Sequence, residues 1–209
     1  AFLSWKKNNY KGIFAMATGT GKTLTSLNCL LELYNTQNTY QAIILVPTIA
    51  LGIQWERELM KFNFKNTVNS TNDSNWKKNL ASLIQLAKLN SKTNLIFITT
   101  YDTFAKSEIV NLFDNLKFSE KIILIADEAH NLGTTKRLEN LPKKINKRIG
   151  LSATPKRQFD EYGNNKIEIF FNSKPPEYTY RYSMKKAIDN GILAQFNYFP
   201  KFTELEPEE

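Results

Sequence analysis

The segment at residues 12–33 constrains the fold of this chain more than any other part of the sequence. An apolar run at 12–16 leads into the loop Ala-Thr-Gly-Thr-Gly-Lys-Thr at 17–23, and apolar residues then recur with helical spacing. A buried strand, a glycine-rich turn and a helix in this order are typical of a phosphate-binding loop. Gly19 and Gly21 can adopt backbone angles that other residues rarely reach, so consecutive N–H groups can converge on one anion. The segment therefore predicts an anion site at the start of its helix.

Two residues after the second glycine extend this prediction to a nucleoside triphosphate with its metal ion. Lys22 is placed to reach the β- and γ-phosphates, and the hydroxyl of Thr23 is placed to bind Mg²⁺. The usual pattern opens with a glycine five residues before Gly21, and Met16 stands there in this chain. A glycine-rich turn with an incidental lysine is therefore still an alternative, and a second motif is needed to decide.

Composition limits the classes of protein to consider. A chain of 209 residues with 42% hydrophobic residues can form one large α/β domain or two small ones. A net charge of +8 suits a polyanionic partner such as nucleic acid, although a merely basic soluble protein is the alternative. One cysteine and one histidine exclude an internal disulfide and the usual Cys/His zinc sites. Since no apolar run approaches the length of a membrane span, we expect a soluble cytoplasmic protein without a membrane partner.

Strand and helix patterns alternate along the chain. Besides the first strand, buried strands are predicted at 42–47, 95–100, 121–126 and 148–152, with a short edge strand around residues 67–68. Helices are predicted at the start of the chain (with Phe2, Leu3 and Trp5 on one side) and at 24–33, 49–62, 75–89, 104–116 and 183–189. This alternation indicates an α/β fold with a mainly parallel sheet and helices on both faces.

An acidic motif, Asp-Glu-Ala-His at 127–130, directly follows the fourth of the buried strands. Asp127 can hold Mg²⁺ directly or through water, and Glu128 can orient and deprotonate an attacking water. An acidic turn after a strand is the alternative for this motif alone. However, the glycine-rich loop and the motif both follow strands, and ligands of parallel sheets gather at the carboxyl ends of the strands. We therefore expect one nucleotide site at that edge.

Three stretches together resemble motifs I, II and III of superfamily 2 helicases and translocases of the DEAH-box type. They are residues 16–23, residues 127–130 and Ser-Ala-Thr-Pro at 152–155. Leu-Val-Pro-Thr at 45–48, followed by Gln54 and Trp55, is similar to motif Ia in the branch of type I and type III restriction motor subunits and DNA-repair helicases. Ile-Thr-Thr-Tyr at 98–101 resembles the strand-end motif that touches the nucleic-acid backbone. The resemblance implies a RecA-like P-loop NTPase domain.

The resemblance also implies a role for each matching residue. ATP is expected to contact Thr18, Gly19, Thr20, Gly21, Lys22 and Thr23. Mg²⁺ is expected to bind Thr23 and Asp127. The catalytic residues implied are Glu128 as the base, with Lys22 and Asp127. Residues implied to couple hydrolysis to movement are His130, Ser152 and Thr154, for which a surface histidine and a helix cap before Pro155 are the alternatives.

Nucleic-acid backbone contacts are implied for Pro47, Thr48, Thr100 and Tyr101, which would act through hydroxyls and backbone N–H groups. Ordinary strand-end turns are the alternative for these four residues. Trp55 is equally compatible with a core position on its helix. The basic stretches at 136–137 and 143–148 could attract nucleic acid, or could be solvated surface.

The resemblance implies that residues 1–200 form the ATP-binding lobe and that 201–209 form a linker toward an absent second RecA-like lobe. The expected function is an ATP hydrolase that drives a helicase or translocase along nucleic acid, with double-stranded DNA favoured, in restriction or phage defence. Without the arginine finger of a second lobe, the isolated chain should hydrolyse ATP very slowly. A nucleotide-gated nucleic-acid binding module without motor activity is the alternative. A small-molecule P-loop kinase is disfavoured by the polar triplet at 152–154.

Overall fold

The computed structural model describes residues 1–195 and 199–200. The strands of this part of the chain are β1 (Lys11–Met16), β2 (Gln41–Val46), β3 (Thr67–Asn69), β4 (Leu95–Thr100), β5 (Ile123–Asp127), β6 (Lys147–Ser152) and β7 (Tyr180–Tyr182). They form one sheet in the order β3-β4-β2-β5-β6-β1-β7, and every neighbouring pair is parallel. The linker expected at 201–209 lies outside the described residues.

Helices connect the parallel strands, as parallel pairing requires. They are α1 (Phe2–Lys7), α2 (Lys22–Gln37), α3 (Ile49–Lys61), α4 (Trp76–Leu89), α5 (Tyr101–Phe104), α6 (Ser107–Asp114), α7 (Thr135–Glu139), α8 (Glu161–Phe171) and α9 (Met184–Asp189). Short 3₁₀ helices lie at Ser119–Lys121 and Ala129–Gly133. Among the described residues, no helix is long and apolar enough to cross a bilayer.

The sheet separates two hydrophobic cores. All six residues of β2 are buried, and because successive side chains of a strand point to opposite faces, they alternate between the cores. Ile43 and Leu45 join the side chains of α4, α6 and α8, while Ala42, Ile44 and Val46 join those of α1, α2 and α3. Burial on both faces explains why the strands read as continuous apolar runs. The predicted α/β architecture with helices on both faces is confirmed.

The structure corrects three local predictions. The helix expected at 104–116 is two helices, because the side chain of Thr100 caps an earlier start and Lys106 has an extended backbone. Leu3 is 78% exposed whereas Trp5 is fully buried, since residues two apart on a helix do not share a face. The region between 156 and 182, for which no strand or helix was predicted before residue 183, contains α8 and the edge strand β7.

Candidate active site

The carboxyl ends of β1, β5 and β6 bring three of the predicted motifs together. These strands are neighbours in the sheet, and their register sets Ser152 beside Ala15 and Asp127 beside Leu151. Because all strands run in the same direction, the glycine-rich loop, the acidic motif and the triplet beginning at Ser152 leave the sheet at one edge. The glycine-rich loop and the acidic motif therefore lie side by side at one edge of the sheet.

The glycine-rich loop has the backbone that an anion site requires. Gly19 and Gly21 have φ angles of +80° and +84°, in the left-handed region that favours glycine. The Thr20 hydroxyl and its N–H both donate to the carbonyl of Ala17, at 2.6 and 3.3 Å, and this closes the loop. Helix α2 starts directly behind it, and no side chain in the described part of the chain caps its N-terminus. The loop thus fits a phosphate group.

Lys22 connects this loop to the acidic motif. Its Nζ atom lies 3.8 Å from Oε1 of Glu128, and both side chains are at most one-third exposed. Lys22 is the first residue of α2, so its ammonium group sits at the helix end that carries partial positive charge. The arrangement concentrates positive charge beside Glu128, where a phosphate chain could enter.

Asp127 ends β5 and is only 7% exposed. Its Oδ2 accepts a hydrogen bond from Nε1 of Trp55 at 2.9 Å, and its Oδ1 accepts one from the N–H of Glu128 at 3.1 Å. Burial raises the pKa of Asp127, and the bond from Trp55 opposes that rise. A carboxylate has about four acceptor positions, so two remain for other ligands.

The donor set at this edge fits Mg²⁺ better than a metal held by protein ligands alone. Within the described residues, no cluster of three His, Cys, Asp or Glu side chains could hold a metal. Asp127 supplies a carboxylate at the end of β5, and Thr23, the second residue of α2, supplies a hydroxyl on the helix that follows the glycine-rich loop. Mg²⁺ usually binds one or two carboxylates together with substrate phosphates and waters. Asp127 and Thr23 could therefore hold Mg²⁺ once a triphosphate is bound.

Glu128 is held in an unusual backbone conformation by its neighbours. Its φ of +50° lies in the left-handed region, which costs about 1–2 kcal/mol for a residue other than glycine. Oε2 accepts a hydrogen bond from the hydroxyl of Ser152 at 3.3 Å, and the amide of Asn131 donates to its carbonyl oxygen at 2.9 Å. Backbone strain of this kind is concentrated at functional sites. The contacts with Ser152 and Asn131 orient the Glu128 carboxylate toward Lys22.

His130 and Ser152 meet as the resemblance implied. Nδ1 of His130 lies 3.1 Å from Oγ of Ser152 and 3.6 Å from Oε2 of Glu128. Thr154 has a different position: its backbone N–H donates to Oγ of Ser152 at 3.1 Å, and its side chain is exposed. The hydroxyl of Ser152, which is fully buried, thus joins the acidic motif to the third motif.

Sequence reasoning missed Arg157. Its Nη1 donates to the carbonyl oxygen of His130 at 3.0 Å, and its N–H donates to Oδ1 of Asn164 on α8 at 2.8 Å. Arg157 therefore ties the acidic motif to α8. The sequence signal that could have indicated Arg157 is its position two residues after Pro155. Its hydrogen-bond partners, however, become neighbours only in the folded chain.

The four predicted nucleic-acid contacts differ in their surroundings. Pro47 and Thr48 follow β2, and Thr48 is an exposed residue whose hydroxyl caps α3. Thr100 ends β4, is half-buried and caps α5 in the same way. The side chain of Tyr101 is 2% exposed, and its hydroxyl donates to the backbone oxygen of Asp127 at 2.7 Å, so a nucleic-acid contact at this position would have to use the backbone N–H. Tyr101 is the first residue of α5, and its side chain points into the core, toward the end of β5.

The basic stretches expose fewer charges than the sequence suggested. Arg148 is buried, with its guanidinium 3.9 Å from the ring centre of Phe170. Arg137 forms an ion pair with Asp102 at 2.9 Å. Lysines 136, 143 and 144 are exposed. The surface cations of this region are therefore these lysines and not the arginines.

Comparisons with known proteins agree with this geometry. A sequence profile for the family described as "Type III restriction enzyme, res subunit" matches residues 1–157. The Rad25 protein of Haloarcula marismortui is 25% identical over 184 residues, which are 88% of this chain and 25% of Rad25. The endonuclease subunit of the type I restriction enzyme SsaAORF53P from Staphylococcus saprophyticus is 28% identical over 186 residues, which are 86% of this chain and 18% of that subunit.

A solved structure has the same fold. A nuclease-deletion mutant of the type ISP restriction-modification enzyme LlaGI, in complex with a DNA substrate mimic, is similar with a TM-score of 0.63 and 25% identity. The similarity covers 91% of this chain and 19% of LlaGI, so the chain spans a quarter or less of the relatives described. The chain is a helicase-like domain with the fold of the first RecA-like lobe of superfamily 2, and it belongs to the family of the type III restriction enzyme res subunit.

Proposed function

We propose that this chain is the ATP-binding lobe of a DNA translocase or helicase that couples ATP hydrolysis to movement along double-stranded DNA. The observation that carries the proposal is the position of Glu128, which faces Lys22 across 3.8 Å and accepts a hydrogen bond from Ser152. The Glu128 carboxylate therefore contacts both Lys22 of the glycine-rich loop and Ser152 of the third motif.

In this proposal, the glycine-rich loop binds the triphosphate. Residues 18–23 contact the triphosphate, and the ammonium of Lys22 neutralises charge on the β- and γ-phosphates. Thr23 and Asp127 would hold Mg²⁺, which would neutralise phosphate charge when bound. Burial and the hydrogen bond from Trp55 keep the Asp127 carboxylate in one orientation.

Glu128 acts as the general base. Its left-handed backbone and the hydrogen bond from Ser152 orient the carboxylate, which accepts the proton of the attacking water. His130 and Ser152 then sense the change at Glu128, because both lie within 3.6 Å of its Oε2 atom. This contact is the start of the path from hydrolysis to movement.

A second RecA-like lobe completes the site in the full-length protein. Residues 1–200 form the first lobe, residues 201–209 lead toward the second, and an arginine from the second lobe contributes about 10³–10⁵ in rate. The isolated chain is accordingly a weak binder and a very slow hydrolase of ATP.

DNA binds at the sheet edge that contains Pro47, Thr48 and Thr100. Hydroxyls and backbone N–H groups there contact phosphates without reading bases, which suits a motor that moves over any sequence. The relatives' association with restriction supports DNA as the track and a role in restriction or phage defence.

The test is the ATPase rate of the full-length protein with double-stranded DNA, single-stranded DNA, RNA or no nucleic acid. We expect stimulation by duplex DNA, and a loss of about 10²-fold or more in the Glu128→Gln variant. Glu139→Gln is the matched control, since Glu139 is an exposed residue of α7. Equal, low turnover under every condition would instead indicate a nucleotide-gated binding module without motor activity.

A further inference from the structure

Two aromatic side chains hold Asp127 from different sides. Nε1 of Trp55 donates to the Oδ2 atom of Asp127 at 2.9 Å, and the hydroxyl of Tyr101 donates to the backbone oxygen of Asp127 at 2.7 Å. Trp55 is 1% exposed and Tyr101 is 2% exposed. The side chain and the main chain of the same acidic residue are thus fixed separately.

Each aromatic residue belongs to a helix that begins at a proposed DNA contact. Trp55 lies on α3, two turns after the cap residue Thr48, and Tyr101 is the first residue of α5, directly after the cap residue Thr100. Short and rigid elements therefore connect Thr48 and Thr100 to Asp127. In the part of the chain that the structure describes, Asp127 is the residue of the acidic motif to which side chains of α3 and α5 donate hydrogen bonds.

We propose that Trp55 and Tyr101 are positioning residues that transmit DNA binding to Asp127. DNA on Thr48 and Thr100 fixes the starts of α3 and α5, and the two hydrogen bonds then fix the carboxylate that holds Mg²⁺. This inference rests on the proposed function, and it explains how DNA could accelerate hydrolysis without touching the nucleotide.

The size of the effect follows from the kind of contact. The bond from Trp55 ends on a carboxylate, and hydrogen bonds to charged groups are about twice as strong as neutral ones. A misplacement of about 1 Å in a catalytic group can cost about 10²-fold in rate. Loss of either bond should therefore reduce stimulation by DNA about tenfold.

Matched control variants distinguish a positioning role of these two aromatic residues from a purely structural one. Trp5 is also fully buried, and its Nε1 donates to the backbone oxygen of Arg148 at 2.9 Å, away from the site. Tyr40 is 7% exposed, and its hydroxyl contacts the backbone of Lys65. Replacement of each by Phe removes the same donor at a similar burial.

The experiment compares Trp55→Phe and Tyr101→Phe with Trp5→Phe and Tyr40→Phe in the full-length protein. Calorimetry gives the affinity for an ATP analogue over a range of Mg²⁺ concentrations. The ratio of DNA-stimulated to basal ATPase rate, the affinity for duplex DNA and the unfolding temperature are measured in parallel.

We expect Trp55→Phe and Tyr101→Phe, the site pair, to require several-fold higher Mg²⁺ concentrations for nucleotide binding. Their ratio of DNA-stimulated to basal ATPase rate should fall about tenfold, while their affinity for duplex DNA stays unchanged. Trp5→Phe and Tyr40→Phe, the control pair, should lower the unfolding temperature by a similar amount. Their Mg²⁺ requirement and their stimulation ratio should stay at the wild-type values. Equal behaviour of the two pairs, or an unchanged Mg²⁺ requirement in the site pair, overturns the inference. If DNA does not stimulate the unmodified protein, the proposed function fails, and the Mg²⁺ requirement still decides whether the two residues position Asp127.

Discussion

The hydroxyl of Ser152 lies between two residues of the acidic motif, 3.3 Å from Oε2 of Glu128 and 3.1 Å from Nδ1 of His130. Ser152 is at the end of β6, next to β5, and its own burial leaves the hydroxyl no solvent partner. A small change in the charge of Glu128 must therefore alter this hydrogen bond. Ser152, the first residue of the third motif, thus contacts both Glu128 and His130 through its hydroxyl oxygen.

Ser152→Ala should consequently affect hydrolysis much more than Thr154→Ala. The first variant removes the hydroxyl that orients Glu128, and we expect a loss of about tenfold in single-turnover rate. The second removes an exposed side chain whose N–H still donates to Ser152, so the rate should stay within about twofold. Single-turnover hydrolysis by the full-length protein gives both rates. Equal losses in the two variants would show that the buried hydroxyl has no special role.

Lys22→Met should weaken nucleotide binding and leave stability nearly unchanged. The ion pair with Glu128 is partly exposed and contributes at most about 1 kcal/mol to the free energy of unfolding. The ammonium group is, in contrast, the positive charge closest to the proposed phosphates. We expect an affinity loss of about tenfold or more for an Mg²⁺–ATP analogue, measured by calorimetry. Lys143→Met, an exposed lysine remote from the loop, is the control and should bind normally.

The edge of the sheet with the proposed nucleotide site could be predicted because each motif directly follows its strand in the sequence. Strands are apolar runs, and the motifs directly follow them, so their positions at one edge needed only the parallel pairing of the strands. Asp127 and Gly19 therefore lie where the pattern indicated.

The second layer of contacts could not be predicted in this way. Trp55 and Asp127 are 72 residues apart, and Tyr101 and Asp127 are 26 apart. Whether an aromatic side chain at a strand end faces solvent or the core depends on the orientation of the helix that follows and on which strand lies next to it. The sequence pattern is the same in both cases, so it does not reveal that the side chain of Tyr101 is buried.

Glu128→Gly should be more stable than Glu128→Ala, although both variants should lack ATPase activity. Glycine adopts the φ of +50° found at this position without steric cost, whereas alanine keeps the strain. We expect a difference of about 1 kcal/mol in the free energy of unfolding, measured by urea denaturation. Alanine variants that match or exceed the glycine variant would mean that the left-handed conformation is not retained.

Cys29 should be unreactive in the folded protein. It is fully buried on α2, and burial raises the pKa of its thiol from 9.0 to about 12. Since the thiolate is the reactive form, alkylation by iodoacetamide at pH 8 should be at least about a hundredfold slower than in urea-unfolded chain. Fast labelling of the native protein would contradict this burial.

The same pKa difference predicts how stability depends on pH. Between pH 9 and about 12 the unfolded chain releases the thiol proton and the folded chain retains it, so the folded state binds more protons. The free energy of unfolding therefore falls as pH rises through this window, by up to about 1.4 kcal/mol per pH unit from this group. The contribution is fully present below pH 9. Because tyrosines and lysines titrate in the same range, the measurement is the difference between wild type and Cys29→Ala. The wild type should lose its advantage over the variant as pH rises, and a constant difference would contradict the raised pKa.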